Sequence, residues 1–369
     1  MNVSAWNERQ ALFAMHEIQG IGWHTIAKAM QASVMDCVSY SEANWKQLGI
    51  KSAQSQALAR TLSPAFAEER ADHYRRLGVR VITWLDDDYP RWLRHIPQPP
   101  WVLYAKGRIE LLEGPMLAVV GTRVPTAYGR HMARELSSQL AARGLSIVSG
   151  LARGIDRCAH EAALQEPGGT IAVLGTPLDI AYPREHSSLQ HRIAQEGLVL
   201  SEYPVGTACH PGMFPVRNRI IAGLSLGTLV IEAASRSGSL ITADQALDMG
   251  REVFALPGPA NSPKSTGTNE YIRDLKAKLT LSVDDILAEL AVRLMETSAF
   301  KPSPAPGPQP PTLTAEESRI YELLQDEPAT ADVLHAKTGM SFGHLHAVLI
   351  NLTIKRKIEQ HPGSIYCAL

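Results

Sequence analysis

Cysteine is scarce: four residues in 369, at Cys37, Cys158, Cys209 and Cys367, with no Cys-x-x-Cys pair. That excludes a disulfide framework and a zinc ribbon. Long apolar runs are missing too. The longest apolar run without a charge, Ile220 to Ile231, falls far short of the ~18–20 residues that span a bilayer. Met1 to Arg9 lacks the basic-then-apolar layout of a signal peptide, so a cytoplasmic protein without membrane contact is expected. Net charge is nearly absent: 36 basic against 37 acidic residues give −1. A nucleic-acid site, if there is one, must therefore be local. No Gly-x-Gly-x-x-Gly follows a strand-like run and Gly-Lys never occurs, which removes the dinucleotide fingerprint and the Walker loop. No repeat of solenoid period is found.

What is there reads as a soluble, globular chain, 45% apolar and 20% charged, long enough for two or three domains at roughly 150 residues each. Six of the ten residues from 302 to 311 are proline, which marks a linker. A softer boundary lies at Leu77-Gly78, where alanine-rich helical sequence gives way to Val79-Arg80-Val81-Ile82. The expected domains are 1–77, 78–295 and 313–369, with 296–312 as the linker. In the first, two helical stretches flank Gly20-Ile21-Gly22, a helix-hairpin-helix (SAM-like) pattern echoed around Gly49. It reads as a helical packing module, with backbone contact to a phosphate as the alternative.

The middle alternates short apolar runs with helical stretches, the pattern of a parallel sheet wound on both faces. The runs begin near Val79, Trp101, Met116, Leu145, Thr170, Gly197, Thr228 and Glu252. From Met116 onward they are apolar throughout rather than alternating, which predicts burial on both faces. The fold class expected is α/β, an extended Rossmann-like, mainly parallel sheet.

Ligands of such sheets bind beyond the carboxyl ends of the strands. The segments following the runs carry Arg123, Arg153, Arg157, Arg184, Arg217, Arg219 and Arg236 against Asp156, Asp179, Glu202 and Glu232. Seven cations against four acids, in a balanced chain, points to phosphate held at one sheet edge by arginine forks, glycine amides and hydroxyls. Arginines from several loops suit a row of phosphates better than one. Phe214 and Tyr203 beside them are candidates for stacking on unpaired bases. Taken singly, each residue has an ordinary structural use: Asp156 as a helix cap or a partner of Arg153, Phe214 as core, Asn218 as a turn.

Gly121-Thr122-Arg123, Ser149 to Asp156, Tyr182-Pro183, Ser201-Glu202-Tyr203-Pro204, Phe214 to Leu224, Ser237 to Ala243 and Pro257-Gly258 follow one another along these loops. In that order they resemble the motifs of the DprA (Smf) family. The resemblance implies a non-catalytic protein, without cofactor or metal, that binds single-stranded DNA and loads RecA onto it in natural transformation, displacing single-strand-binding protein. It implies a homodimer through the central domain. Carried over by motif, the DNA-binding residues are Gly121, Thr122, Arg123, Arg184, Phe214, Arg217, Asn218, Arg219, Ser237, Gly238 and Ser239. Gly267 to Lys278 departs from the family pattern, which normally ends in Gly-Ala there, and Pro177 stands where glycine is common.

The last module reads as a winged helix, with helices starting near Thr314, Thr330 and Ser341 and a wing turned by Pro362-Gly363. Its third helix, Ser341 to Leu352, has no lysine or arginine, and the module carries five basic against seven acidic residues. A reader of duplex DNA should be basic, so protein contact is expected instead. His344 and His346 diverge on that helix and read as surface residues. The alternative for the whole chain is a nucleotide-processing enzyme, a phosphoribohydrolase of the lysine-decarboxylase-like type. Such enzymes use a compact Pro-Gly-Gly-x-Gly-Thr-x-x-Glu motif, whereas Pro257-Gly258 and Gly267-Thr268-Asn269-Glu270 are separated here by residues 259–266.

Overall fold

The computed structural model describes residues 6–295, 313–355, 357–361 and 364–368. The expected linker at 296–312 and the wing turn at Pro362-Gly363 lie outside the described residues. The chain divides into two compact units, Met1–Ser303 and Pro304–Leu369.

The larger unit opens with six helices: α1 (Glu8–Glu17), α2 (Trp23–Gln31), α3 (Val34–Cys37), α4 (Glu42–Gln47), α5 (Ser52–Thr61) and α6 (Pro64–Arg76). Capping chemistry sets several starts. Asn7 with Gln10, and Ser41 with Asn44, form reciprocal caps, and Ser63 accepts from Phe66 N–H ahead of Pro64. Gly20, at φ +83°, turns the chain between α1 and α2.

These helices share a core with the first two strands, β1 (Arg80–Thr83) and β2 (Val102–Gly107). Glu17, whose side chain is fully buried, accepts from Arg70 Nε at 2.6 Å, from Tyr74 Oη at 2.9 Å and from Tyr104 Oη. A buried carboxylate is tolerated because every partner is a donor. Trp23 and Trp101 stack at 5.5 Å between centroids, and each indole N–H reaches a carbonyl of the other segment.

The sheet continues with β3 (Met116–Gly121), β4 (Ser146–Ser149), β5 (Thr170–Leu174), β6 (Leu198–Ser201), β7 (Gly227–Ile231), β8 (Glu252–Ala255) and β9 (Lys278–Leu279). Its nine strands run in the order β1-β2-β6-β5-β4-β3-β7-β8-β9. The seven from β6 to β9 are parallel; β2 joins β6 antiparallel and β1 joins β2 antiparallel. Alternate residues of one strand face opposite cores. Leu117 and Val119 pack with α7 (Ala127–Ala142), α8 (Ile155–Ala163) and α13 (Val283–Met295). Ala118 and Val120 pack with α10 (Met213–Leu224) and α11 (Gly238–Asp248). The Leu189 and Ile193 side chains of α9 (Ser187–Glu196) cover Ala172 and Val199, and α12 (Thr266–Arg273) precedes β9. Two covered faces explain why these strands are apolar throughout. The chain winds outward from β3 in one direction to β6, then from β7 in the other. The switch point lies between β3 and β7.

The smaller unit is a winged helix: α14 (Ala315–Asp326), β10 (Ala329–Thr330), α15 (Ala331–Thr338), α16 (Phe342–Ile354), β11 (Ile358–His361) and β12 (Ile365–Ala368). Thr314 and Glu317 cap α14 reciprocally, as the sequence pattern predicts, and Ser341 precedes α16. His344 pairs with Glu316 at 2.9 Å, and His346 is exposed.

Candidate nucleic-acid interface

A groove of about 770 Å³ opens at the switch point. One wall is the turn after β3. Gly121 is required there, because a Cβ would lie 1.9 Å from the Ile231 carbonyl oxygen of β7. Thr122 N–H donates to Glu232 O at 2.8 Å, and Thr122 O accepts from Ile155 N–H at 3.2 Å. Gly154, at φ +81°, packs against the Thr122–Arg123 backbone, leaving no room for a side chain. The backbone under Arg123 is thus fixed from both neighbouring loops, while its side chain is exposed in the groove. No carboxylate among the described residues pairs with it.

The turn after β4 is held residue by residue. Gly150 N–H donates to Asp156 Oδ2 at 3.1 Å, and its carbonyl accepts from Arg217 Nη1 at 2.8 Å. Leu151 N–H donates to His160 Nε2 at 3.3 Å, and its carbonyl accepts from His186 Nδ1 at 2.9 Å. Leu151 sits at φ +56°, a region disfavoured for a branched side chain, and these four bonds over-determine it. His160 Nε2 accepts, so its Nδ1 carries the proton toward Thr170 Oγ1 at 2.7 Å. Burial, with Arg217 and His186 nearby, lowers the His160 pKa to about 3, and the ring is neutral. Burial also lowers Arg217 to about 10, opposed by the Asp156 charge, and pushes Asp156 up, opposed first by Arg217. A second bond from Arg217 Nη1 reaches Val173 O. A Cβ on Gly150 would lie 2.4 Å from Arg217 Nη2. The guanidinium therefore reaches its carbonyls only past a glycine.

Glu232 closes the far end of the β3 turn. It is buried at φ +51° and accepts from Thr126 N at 2.8 Å and from Thr126 Oγ1. Thr126 is the N-cap of α7, and a Cβ on Gly129 would lie 2.4 Å from Glu232 Oε2. The protein's own carboxylate thus occupies the N-terminus of α7, the place where a Rossmann-type sheet usually receives a phosphate. On the opposite wall, Ser237 caps α11, its Oγ 3.4 Å from Ser239 N and 2.8 Å from Ser239 Oγ. Gly238 is exposed, with nothing within 4 Å of where a Cβ would stand.

Comparison with known proteins covers the same part of the chain. Residues 80–291 match the family model described as DNA recombination-mediator protein A, and residues 303–364 match the DprA winged helix domain. The chain belongs to the DprA family. It is 39% identical to Protein Smf of Synechocystis sp. over 325 residues, 80% of this chain and 81% of that one. It is 40% identical to Protein Smf of Escherichia coli over 276 residues, 74% of each chain. The X-ray structure of DprA from Streptococcus pneumoniae superposes with a TM-score of 0.67 at 37% identity, covering 76% of this chain and 97% of that one. DprA from Helicobacter pylori, described for its unique single-stranded DNA binding mode, gives 0.53 at 33% identity, over 58% and 96%.

In this DprA-family groove, nine of the eleven residues expected from sequence line one surface: Gly121, Thr122, Arg123, Phe214, Arg217, Asn218, Ser237, Gly238 and Ser239. Asn218 Oδ1 accepts from Arg217 Nε at 3.2 Å, which turns its NH2 the other way. Two residues lie elsewhere. Arg184 is exposed on the short turn Arg184–His186, outside the groove lining. Arg219 is buried, donates to Glu202 Oε1 at 2.6 Å, and lines a separate cleft with Tyr203 and the Gly20–Gly22 turn. Tyr203, a stacking candidate by sequence, goes with it. Asp156 does not meet Arg153; Arg153 pairs with Glu185 at 2.5 Å, while Asp156 receives the Gly150 and Ala152 amides.

Sequence reasoning missed three residues. Tyr182 sits in the groove beside Phe214, and Glu232 seals α7. Asn269 bridges Gly258 in both directions, at 3.1 and 2.9 Å, so the separated halves around 257–258 and 267–269 do meet. Each carries a partial signal in the sequence: Tyr182 stands next to Pro183 in a matched motif, Glu232 is an acid just after an apolar run, and Asn269 lies in the Gly267-Thr268-Asn269-Glu270 run.

Proposed function

We propose that the chain binds single-stranded DNA along the carboxyl edge of its sheet and loads RecA onto it, as a non-catalytic mediator in natural transformation or recombination. The observation that carries this reading is Arg123: a cation with no carboxylate partner among the described residues, on a doubly braced loop, opening onto a groove at the switch point. Phosphate oxygens are its natural ligand. The Ser237–Ser239 turn at the start of α11 adds short donors, and exposed Gly238 lets a backbone approach closely. Arg217 supports the floor by holding Gly150, and Arg184 extends the reach beyond the rim.

The alternative of a nucleotide-processing enzyme has one point in its favour, the Asn269 bridge that joins Pro257-Gly258 to Gly267-Thr268. Against it, Glu232 fills the α7 terminus where a mononucleotide's phosphate would rest. Of the four loop acids, Asp156 and Glu232 are bound to backbone amides and Glu202 to Arg219, which leaves them poorly placed as general bases.

The same reading takes single-strand-binding protein as the partner displaced and a second copy of the chain as the dimer mate. Leu275, Leu279 and Leu281, 93%, 49% and 65% exposed, surround the edge strand β9, and a homodimer would cover them. The winged helix suits a protein partner: α16 bears exposed Phe342 and Ile350 and no lysine or arginine among residues 342–352.

The test is fluorescence anisotropy of a labelled single strand with wild type and Arg123→Ala, salt varied and duplex as competitor. Single-strand preference is expected, with a salt slope shallower in the variant by about 0.7, the share of one phosphate that is no longer neutralised. An unaffected variant, or equal competition by duplex, would overturn the assignment.

A further inference from the structure

The helices that follow β3 and β4, α7 and α8, carry cations that the groove does not use. Arg130 and Arg134 are both exposed on α7. Four residues apart, about 6 Å of helix rise, they stand one above the other on one face. Like charges at this spacing work against a helix, and no packing need explains them, since both side chains face solvent. The carboxylates beside them are taken: Glu135 pairs with His131 at 3.1 Å, and Glu161 with Arg157 of α8 at 2.7 Å. Neither Arg130 nor Arg134 has a carboxylate partner among the described residues. The two helices pack through Ala133 and Leu136 against Ile155, Cys158 and Ala159. Burial raises the pKa of the Cys158 thiol, 4% exposed, opposed first by Arg134; Glu161 adds to the rise, and Arg130 and Arg157 oppose it. Guanidiniums from both helices thus converge over one buried atom.

This face is continuous with Arg123. Arg130 Nη1 donates to the Pro125 carbonyl at 2.7 Å and Lys264 Nζ to the Val124 carbonyl, both in the turn that carries Arg123. Gly154, the residue before α8, lies against the Thr122–Arg123 backbone. Arg130, Arg134, Arg157 and Lys264 all lie outside the groove lining. Cations therefore run from the groove, over exposed Val124, onto the outer face of α7 and α8. A mononucleotide in the groove reaches none of this row, whereas a polyanion reaches all of it. An acidic protein surface matches the charge too, but continuity with Arg123 favours a single chain of phosphates.

We propose that the α7–α8 face is a second phosphate track: a strand leaving the groove crosses the Val124-Pro125 turn, beside Lys264, and lays its next phosphates against Arg130, Arg134 and Arg157. The inference rests on the single-strand reading above and deepens it, because it extends the binding site beyond the groove and makes affinity depend on strand length. The contacts are to the backbone alone, so this part of the site is indifferent to sequence.

The experiment measures anisotropy against salt for two labelled oligo-dT strands, one of about six nucleotides, short enough for the groove alone, and one of about twenty. Arg130→Ala with Arg134→Ala should lower the salt slope on the long strand by about 1.4, two phosphates at about 0.7 each, and leave the short strand unchanged. Arg134→Ala alone keeps the Arg130 bond to Pro125 and should give half that loss. Arg123→Ala should weaken both strands. An equal loss on both strands in the double variant overturns the track, since Arg130 then acts only by holding the Arg123 turn. An unchanged slope on the long strand also overturns it, and if RecA loading falls at the same time the face belongs to an acidic protein surface instead. Failure of wild type to bind either strand overturns the single-strand reading and the track with it.

Discussion

Replacing Arg217 by leucine removes the donor to the Gly150 and Val173 carbonyls and leaves the buried Asp156 carboxylate without its cation. Breaking one side of a buried charge pair costs about 3–5 kcal/mol, chiefly because the remaining charge is stranded. Taking about 4 kcal/mol and an m-value of about 3 kcal/mol/M for a unit of this size, the urea midpoint should fall by about 1.3 M. Tryptophan fluorescence reads the correct transition, since all six tryptophans precede residue 102 and lie in the larger unit. Asp156→Asn combined with Arg217→Leu should recover a substantial part of the loss. The stranded charge is then gone, and an amide oxygen still accepts from Gly150 N–H. An interaction energy above about 1 kcal/mol between the two substitutions is expected for groups that share Gly150, one through its N–H and the other through its carbonyl. If Arg217→Leu leaves the midpoint unchanged yet lowers the salt slope of strand binding by about 0.7, the arginine is a phosphate ligand and the structural account is wrong.

Two further outcomes follow from the same geometry. The folded-state pKa of His160 is about 3, below its ordinary 6.5, so the unfolded chain takes up a proton first as pH falls. Its contribution to stability is present above pH 6.5 and is lost toward pH 3, at about 1.4 kcal/mol per pH unit. His160→Gln should be less stable at pH 7.5 but flatter between pH 6 and 4 in urea midpoints, and an acid limb as steep as wild type would count against a neutral, buried ring. At the sheet edge, wild type should sediment as the proposed dimer and Leu275→Asp with Leu281→Asp as a monomer in sedimentation velocity. A persistent dimer would move the interface away from β9.

How far the sequence could be read depends on the distance over which each interaction acts. Strands such as Met116–Val120 and Thr170–Leu174 declare themselves because burial on both faces demands unbroken apolar runs, and Thr314 with Glu317 declares a helix start because a cap is written within four residues. The order of strands around β3 then brings Gly121, Arg123, Phe214 and Ser237 to one groove, so position after a strand is enough to place them at one sheet edge. Charge sign was not enough to sort the arginines. Arg123 and Arg217 both follow apolar segments and both line the groove, but the first has no carboxylate partner among the described residues and the second is spent on backbone carbonyls; the difference lies in Asp156 and Gly150, some sixty residues from Arg217. Arg219 is two residues from Arg217 on α10, and it points to Glu202 and another cleft. Tyr182 and Tyr203 pose the same problem, two tyrosines each followed by proline in the segment after a strand, of which the fold puts only one against Phe214. Glu232 is the sharpest case. As an acid among arginines it counted against a phosphate site, whereas bound across the first turn of α7 it closes the mononucleotide position and leaves the open groove, with Arg123, Tyr182 and Phe214, as the place where an extended strand can lie.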